Sequence, residues 1–142
     1  MLETKSFGAV LYRKVDNRLE YLLLKHANGG HWSLCKGHAE GKESEQETAL
    51  REIWEETGLV VRLNKRFRSV IAYSPYEGVH KTVVFFLAKT KKKKLRLQKD
   101  EILNSVWLEY EDALKLLIHH DVGGVLYQAH TFLAEKARSS RS

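Results

Sequence analysis

The feature of this sequence that most restricts its fold is a spacing: Gly37, five residues, Glu43, seven residues, then the unbroken run Arg51-Glu52-Ile53-Trp54-Glu55-Glu56-Thr57-Gly58-Leu59. From Ser44 to Thr57 there is neither Gly nor Pro, and Gly58 follows at once. This predicts a helix with Ser44 as N-cap and a glycine stop. Turning by about 100° per residue from Glu52, Glu55 falls at about −60° and Glu56 at about +40°. Leu50, Ile53, Trp54 and Thr57 are expected on the opposite side, so one face packs and the other is acidic.

Three carboxylates within one helical turn repel one another and resist simultaneous ionisation, a conflict that a bound cation removes. No set of Cys and His at zinc-ligand spacing accompanies them, and His26 and His31 are read as structural. Oxygen donors alone suit a hard cation such as Mg²⁺, which commonly combines a few carboxylates with waters and substrate phosphates. A Glu-rich helix in isolation would be read as a solvated face with i,i+4 ion pairs. Here seven specified residue types and two apolar positions hold their spacing, a coincidence with a probability on the order of 10⁻⁷ from average residue frequencies.

The chain has 142 residues, 43% hydrophobic and 30% charged, the size and balance of a single globular domain spanning 1–142. Its longest apolar stretches, Tyr21 to Leu24 and Val83 to Ala88, are far too short for a membrane span, and no signal segment opens the sequence. One cysteine, Cys35, excludes an internal disulfide and is compatible with the cytoplasm. The formal net charge is +6, and the acid-free cluster Lys89, Lys91, Lys92, Lys93, Lys94 and Arg96 supplies six positive charges, so the remainder of the chain sums to zero. Such a cluster is commonly a solvated turn between strands; its functional alternative is attraction of a polyphosphate or RNA.

Ser6 to Tyr12 and Glu20 to Lys25 read as strands joined by the polar turn Asp16-Asn17-Arg18. Trp32-Ser33-Leu34 reads as a short strand and Gly37 to Lys42 as a loop. Leu59 to Tyr73 and Lys81 to Lys89 are β-rich, Val106-Trp107-Leu108 is a further strand, and Tyr110 to Ile118 and Val125 to Ala137 carry helical spacing. Ala137 to Ser142 reads as a loose tail. A mixed sheet with flanking helices follows.

The spaced pattern is identified as the Nudix box, and the chain resembles the Nudix hydrolases. That resemblance implies an α+β fold with a mixed β-sheet sandwiched between α-helices, and a box forming loop, helix and loop. It implies that Gly37 permits a tight loop, that Glu52, Glu55 and Glu56 reach Mg²⁺ (with Mn²⁺ as substitute) and that the Lys36 carbonyl adds a ligand. Arg51 and Glu43 match positions that hold the loop and orient the carboxylates. Family members differ in which glutamate is the general base, leaving Glu56, Glu52 and, outside the box, Glu101 as candidates.

Trp32-Ser33-Leu34-Cys35-Lys36-Gly37-His38, Lys81-Thr82-Val83-Val84 and Trp107-Leu108 resemble the asymmetric diadenosine tetraphosphate hydrolases, over about Ser6 to Leu133. This implies water attack at the fourth phosphate of a dinucleoside polyphosphate, giving ATP and AMP, in a monomer or weak dimer. Lys36, Gly37, His38 and Lys81 would then meet the phosphate chain, and Tyr73, Tyr76 or Phe85 would stack on adenine, with core packing the alternative for Phe85. Cys35 departs from the usual proline before Lys-Gly-His, and Gly41-Lys42 from the usual Pro-Gly before Glu43. Alternatives are another Nudix pyrophosphohydrolase, acting on a nucleoside triphosphate, an RNA 5′ end or an inositol pyrophosphate, or a non-catalytic nucleotide-binding module.

Overall fold

In this computed structural model residues 1–91 and 93–141 are described; Lys92, of the basic cluster, and Ser142, of the expected tail, lie outside them. The longest strands form the spine: β1 (Leu2–Val15), β2 (Arg18–His26) and, later in the chain, β6 (Val79–Lys89). β1 and β2 form a hairpin whose Asp16 and Asn17 both have positive φ, at 50° and 67°. Short Asx side chains tolerate that conformation, and a two-residue turn of this kind matches the strands' twist.

β3 (Trp32–Ser33) and β4 (Cys35–His38) follow, then α1 (Glu45–Thr57), β5 (Leu63–Tyr73), β6, β7 (Ile102–Leu108), α2 (Tyr110–Leu116) and α3 (Val122–Arg141). The sheet runs β3-β2-β1-β6-β5, with β4 pairing β1 and β7 pairing β2. β1 and β6 are parallel while β5 and β6 are antiparallel, so the sheet is mixed as expected. Gly37 and His38 lie in β4 rather than in a loop, because Phe7 and Ser6 of β1 pair with them. β5 also begins later than Leu59, at Leu63.

Val83 to Ala88 is continuously apolar because the middle of the sheet is covered on both sides. Val84, Phe86 and Ala88 share a core with Ala9, Leu11 and Ile53 of α1, whereas Val83, Phe85 and Leu87 pack with Leu126 and Ala129 of α3. Phe85 is fully buried, which settles its reading in favour of core packing. In the same layer the Tyr21 hydroxyl bonds His130 Nδ1 at 2.7 Å, satisfying two polar groups among apolar ones.

α3 continues through 137–141, within the segment expected to be loose; residues 137–140 are exposed but the backbone stays helical. No helix among the described residues is long and apolar enough to cross a membrane.

Candidate active site

α1 starts where sequence predicted. Ser44 Oγ accepts from Glu47 N at 3.1 Å while Glu47 Oε1 accepts from Ser44 N at 2.8 Å, a reciprocal capping box. Gly58 ends the helix in the left-handed region, at φ 76°. The buried arc of α1 holds Thr48, Ala49, Ile53, Glu56 and Thr57. Leu50 and Trp54, expected to pack, remain 38% and 48% exposed, because the arc runs from Thr48 to Thr57 about Ala49 and Glu56 and they lie beyond its Thr57 edge. Glu56 lies near the middle of that arc, beside Ala49, so one of the three acidic side chains is carried into the interior at 5% exposure.

Arg51 ties this helix to the preceding segment. Its Nε donates to Glu43 Oε2 at 2.7 Å, Nη2 donates to Glu43 Oε1 at 3.0 Å and to the His38 carbonyl at 2.7 Å, and Nη1 donates to Glu52 at 3.0 Å and to Glu55 at 2.6 Å. Arg51 therefore links Glu43, the end of β4 and two of the helix carboxylates. The guanidinium holds the Glu43 carboxyl down at about 2. Glu43 Oε1 also accepts from Glu40 N and from Thr48 Oγ1, which fixes the turn between β4 and α1.

β4 approaches the helix closely enough that Gly37 leaves no room for a side chain. A Cβ there would lie 2.0 Å from the Glu52 carboxyl carbon. One residue earlier, Lys36 N donates to Glu56 Oε1 at 3.3 Å, and the neighbouring Cys35 thiol also hydrogen-bonds Glu56. Cys35 is buried and its thiol is pushed up by that burial and then by the charge of Glu56, which is opposite to what a nucleophile needs.

These elements open onto one cleft of about 760 Å³. Glu52, Glu55 and Glu56 line it together with Lys36, His38 and Lys81. Burial, with the charge of Glu52 beside it, pushes the Glu56 carboxyl up to about 8, and burial also raises Glu52. The lysine side carries the mirror-image conflict: burial and then the proximity of Lys36 lower Lys81 to about 8. Buried like charges of each sign in a common cleft are relieved by a ligand pair of opposite signs, a cation for the glutamates and an anion for the lysines.

The donor set fits a hard divalent ion, since it offers carboxylate oxygens and no thiolate or imidazole cluster. Among the described residues no three His, Cys, Asp or Glu side chains are gathered as a ready-made cage. Arg51 Nη1 supplies the positive charge between Glu52 and Glu55, and an ion that completes its shell with waters and phosphate oxygens needs few protein donors.

The cleft also gathers residues that sequence proposed from remote positions. Gly37, Tyr73, Tyr76 and Glu101 all line it. Tyr76 is 69% exposed, whereas one face of Tyr73 is covered by His120, stacked at 4.0 Å with 6° between ring planes. Sequence reading missed His26, His31, Gln98 and His120 on the cleft wall. His26 Nε2 bonds the Leu34 carbonyl at 3.1 Å and His31 lies 4.7 Å from His119 ring to ring, so their structural role and their place on the wall coexist. Nothing in their spacing marked them, because the end of β2 and separate loops bring them together.

The sequence pattern of the NUDIX domain matches residues 3–129. The chain is 35% identical over 145 residues to the asymmetrical bis(5′-nucleosyl)-tetraphosphatase of Sus scrofa, covering 94% of this chain and 97% of that protein. The Caenorhabditis elegans protein of the same name is 31% identical over 134 residues, covering 92% and 96%. In three dimensions the crystal structure of a C. elegans Ap4A hydrolase binary complex superposes with a TM-score of 0.86 at 31% identity, over 93% of this chain and 98% of that one.

Proposed function

This chain belongs to the NUDIX domain family, and from that membership we propose that it hydrolyses diadenosine tetraphosphate asymmetrically, to ATP and AMP, with Mg²⁺ as its preferred ion and Mn²⁺ as a substitute. It is a Nudix hydrolase, an enzyme class that uses divalent metal ions. The observation that carries the substrate reading is the cleft that pairs Glu52, Glu55 and Glu56 with Lys36 and Lys81, together with full-length similarity to enzymes of that name.

Lys36, His38 and Lys81 bind the phosphate chain, whose successive charges need several donors. The absence of a side chain at Gly37 lets the Glu52 carboxylate lie against β4. Tyr76, exposed at the rim, offers its ring to an adenine, with the Tyr73–His120 stack beside it. A bound divalent ion supplies charge neutralisation at the phosphates and a lowered pKa for water. Glu52, Glu55 and Glu56 hold it, with the Lys36 carbonyl as an additional donor, while Arg51 and Glu43 orient those carboxylates.

Glu56 is the favoured base: its raised proton affinity suits removal of a proton from water near neutral pH. Glu52 and Glu101 stand in the same cleft as the alternatives. The water oxygen bonds to the fourth phosphorus, the bridging P–O bond on its far side breaks, and ATP leaves as AMP forms.

Incubation of purified protein and Mg²⁺ with diadenosine tetraphosphate, nucleoside triphosphates, 5′-triphosphorylated RNA and an inositol pyrophosphate, with chromatography of the products, tests this. ATP plus AMP from the dinucleotide is expected. Pyrophosphate released from a triphosphate or RNA end, with the dinucleotide intact, overturns the substrate assignment. Tight nucleotide binding without turnover makes the chain a binding module instead.

A further inference from the structure

A second groove lies at the opposite end of the sheet. β6 leads from the cleft residue Lys81 to Lys89, eight residues that span about 26 Å of extended chain. At that distal end Leu63 pairs with Ala88; Arg62 immediately precedes β5 and Lys89 ends β6. Between the start of β5 and the last turns of α3 runs a groove of about 620 Å³. Leu63 and Phe132 give it apolar surface, Lys65, Arg66 and Lys136 give it positive charge, and Glu135 is the acid in its lining.

Two features argue that these cations are more than ordinary solvated side chains. In a regular strand successive side chains point to opposite faces, so Lys65 and Arg66 would not both be outside. The pairing of β5 with β6 is irregular between Asn64 and Ser69, and there both are exposed. Among the described residues, moreover, no ion pair engages Lys65, Arg66 or Lys136, nor Lys89, Lys91, Lys93 or Lys94 on the segment that leaves β6 at this same end. Arg68, two residues beyond Arg66 on β5, is by contrast paired with Glu45 at 2.9 Å.

A ligand matching this surface carries phosphates at short intervals and flat apolar faces between them. A bare polyphosphate would use the cations and leave the apolar part of the groove lining uncovered. We propose that the groove between β5 and α3 binds single-stranded nucleic acid at a site separate from the hydrolytic cleft, with phosphates on Lys65, Arg66 and Lys136 and a base against Phe132.

Fluorescence anisotropy of the full chain with a labelled 12-nucleotide RNA bearing hydroxyls at both ends, which offers the cleft no phosphoanhydride, tests the proposal. Binding is expected at low salt, with log K falling against log salt at a slope of about −2 to −3 for three or four phosphates contacted. K65E/R66E should weaken it at least tenfold and K136E several-fold, both keeping kcat/KM on diadenosine tetraphosphate within twofold of the parent. Glu56→Gln should bind the RNA as the parent does, and inorganic polyphosphate at equal phosphate concentration should compete less well than unlabelled RNA. K136E, which alters only an exposed helix residue, stands in if the double variant fails to fold. The proposal is overturned by no binding at low salt, by unchanged affinity in the charge-reversed variants, by loss of binding in Glu56→Gln, or by polyphosphate competing as well as RNA.

Discussion

Two glycines separate a functional from a structural use of the same residue type. An alanine methyl at Gly37 would meet the far end of the Glu52 side chain at 2.0 Å, and that side chain can rotate away. Gly37→Ala should therefore cost less than about 1 kcal/mol of stability, yet lower kcat/KM by about 10²-fold through the displaced carboxylate. At Gly8 the methyl would meet the Cys35 carbonyl oxygen at 1.8 Å, a backbone atom locked in the β1–β4 pairing. Gly8→Ala should cost at least about 3 kcal/mol in urea unfolding. If both variants lost stability equally, the distinction would be wrong. For Glu56, kcat in Glu56→Gln should fall at least about 10²-fold with the fold intact. Its pH effect has a definite sign: the folded-state pKa, about 8, exceeds the ordinary 4.5, so the folded state binds the proton more tightly. In a chelator, the part of stability that Glu56 contributes is present below about pH 4.5 and is lost as pH rises through about 8. The glutamine variant should lack that decline, and identical pH curves for the two proteins would remove Glu56 as its source.

At the scale of the element, α1 lacks a basic residue in its last turn, and the fold provides one from a distance. Arg96 Nη2 donates to the Trp54 carbonyl at 3.2 Å, its backbone N donates to the Thr57 carbonyl at 2.9 Å, and its guanidinium lies 4.7 Å from the centre of the Trp54 ring. Gln98 N extends the contact to the Glu56 carbonyl at 3.2 Å. The basic segment is thus fastened along the C-terminal end of the catalytic helix, where positive charge is favourable, and Lys91, Lys93 and Lys94 are exposed. This also explains the exposure of Trp54, whose face Arg96 covers. Arg96→Ala should destabilise the chain by about 1 kcal/mol in thermal or urea unfolding, with Arg96→Lys recovering part of the loss. No change in either variant would show that the backbone bonds of this segment suffice.

Across the whole molecule, charge of opposite signs is gathered in one cleft and unpaired positive charge at the distal end of the sheet. The cleft wall is assembled from separate strands, loops and α1, and His26 shows what that costs: burial, then the charge of Lys36, lowers it from 6.5 to about 4. The sign here is opposite to that of Glu56. With the folded pKa depressed, the stability linked to His26 is fully present above about pH 6.5 and is lost as pH falls through about 4. His26→Gln should therefore unfold with a shallower loss of stability between those values than its parent, measured by urea titration at stepped pH. Parallel curves would mean that the neutral imidazole contributes nothing.

The sequence by itself determined the helix from Ser44 to Gly58, the apolar strand Val83 to Ala88 and the family, because capping, periodicity and spacing are local properties; that Arg51 bonds Glu43 came from the structure. The tertiary structure alone decided which face of α1 packs, and hence that Glu56 is buried while Trp54 is not. It alone turned Gly37 and His38 into a paired strand, since β1 is the partner that supplies their hydrogen bonds. The joining of Tyr73, Tyr76, Lys81, Glu101 and the unforeseen His26, His31 and His120 on one cleft was also its work. Those residues are separated by long stretches of chain, and nothing short of the packed sheet fixes the distances between them.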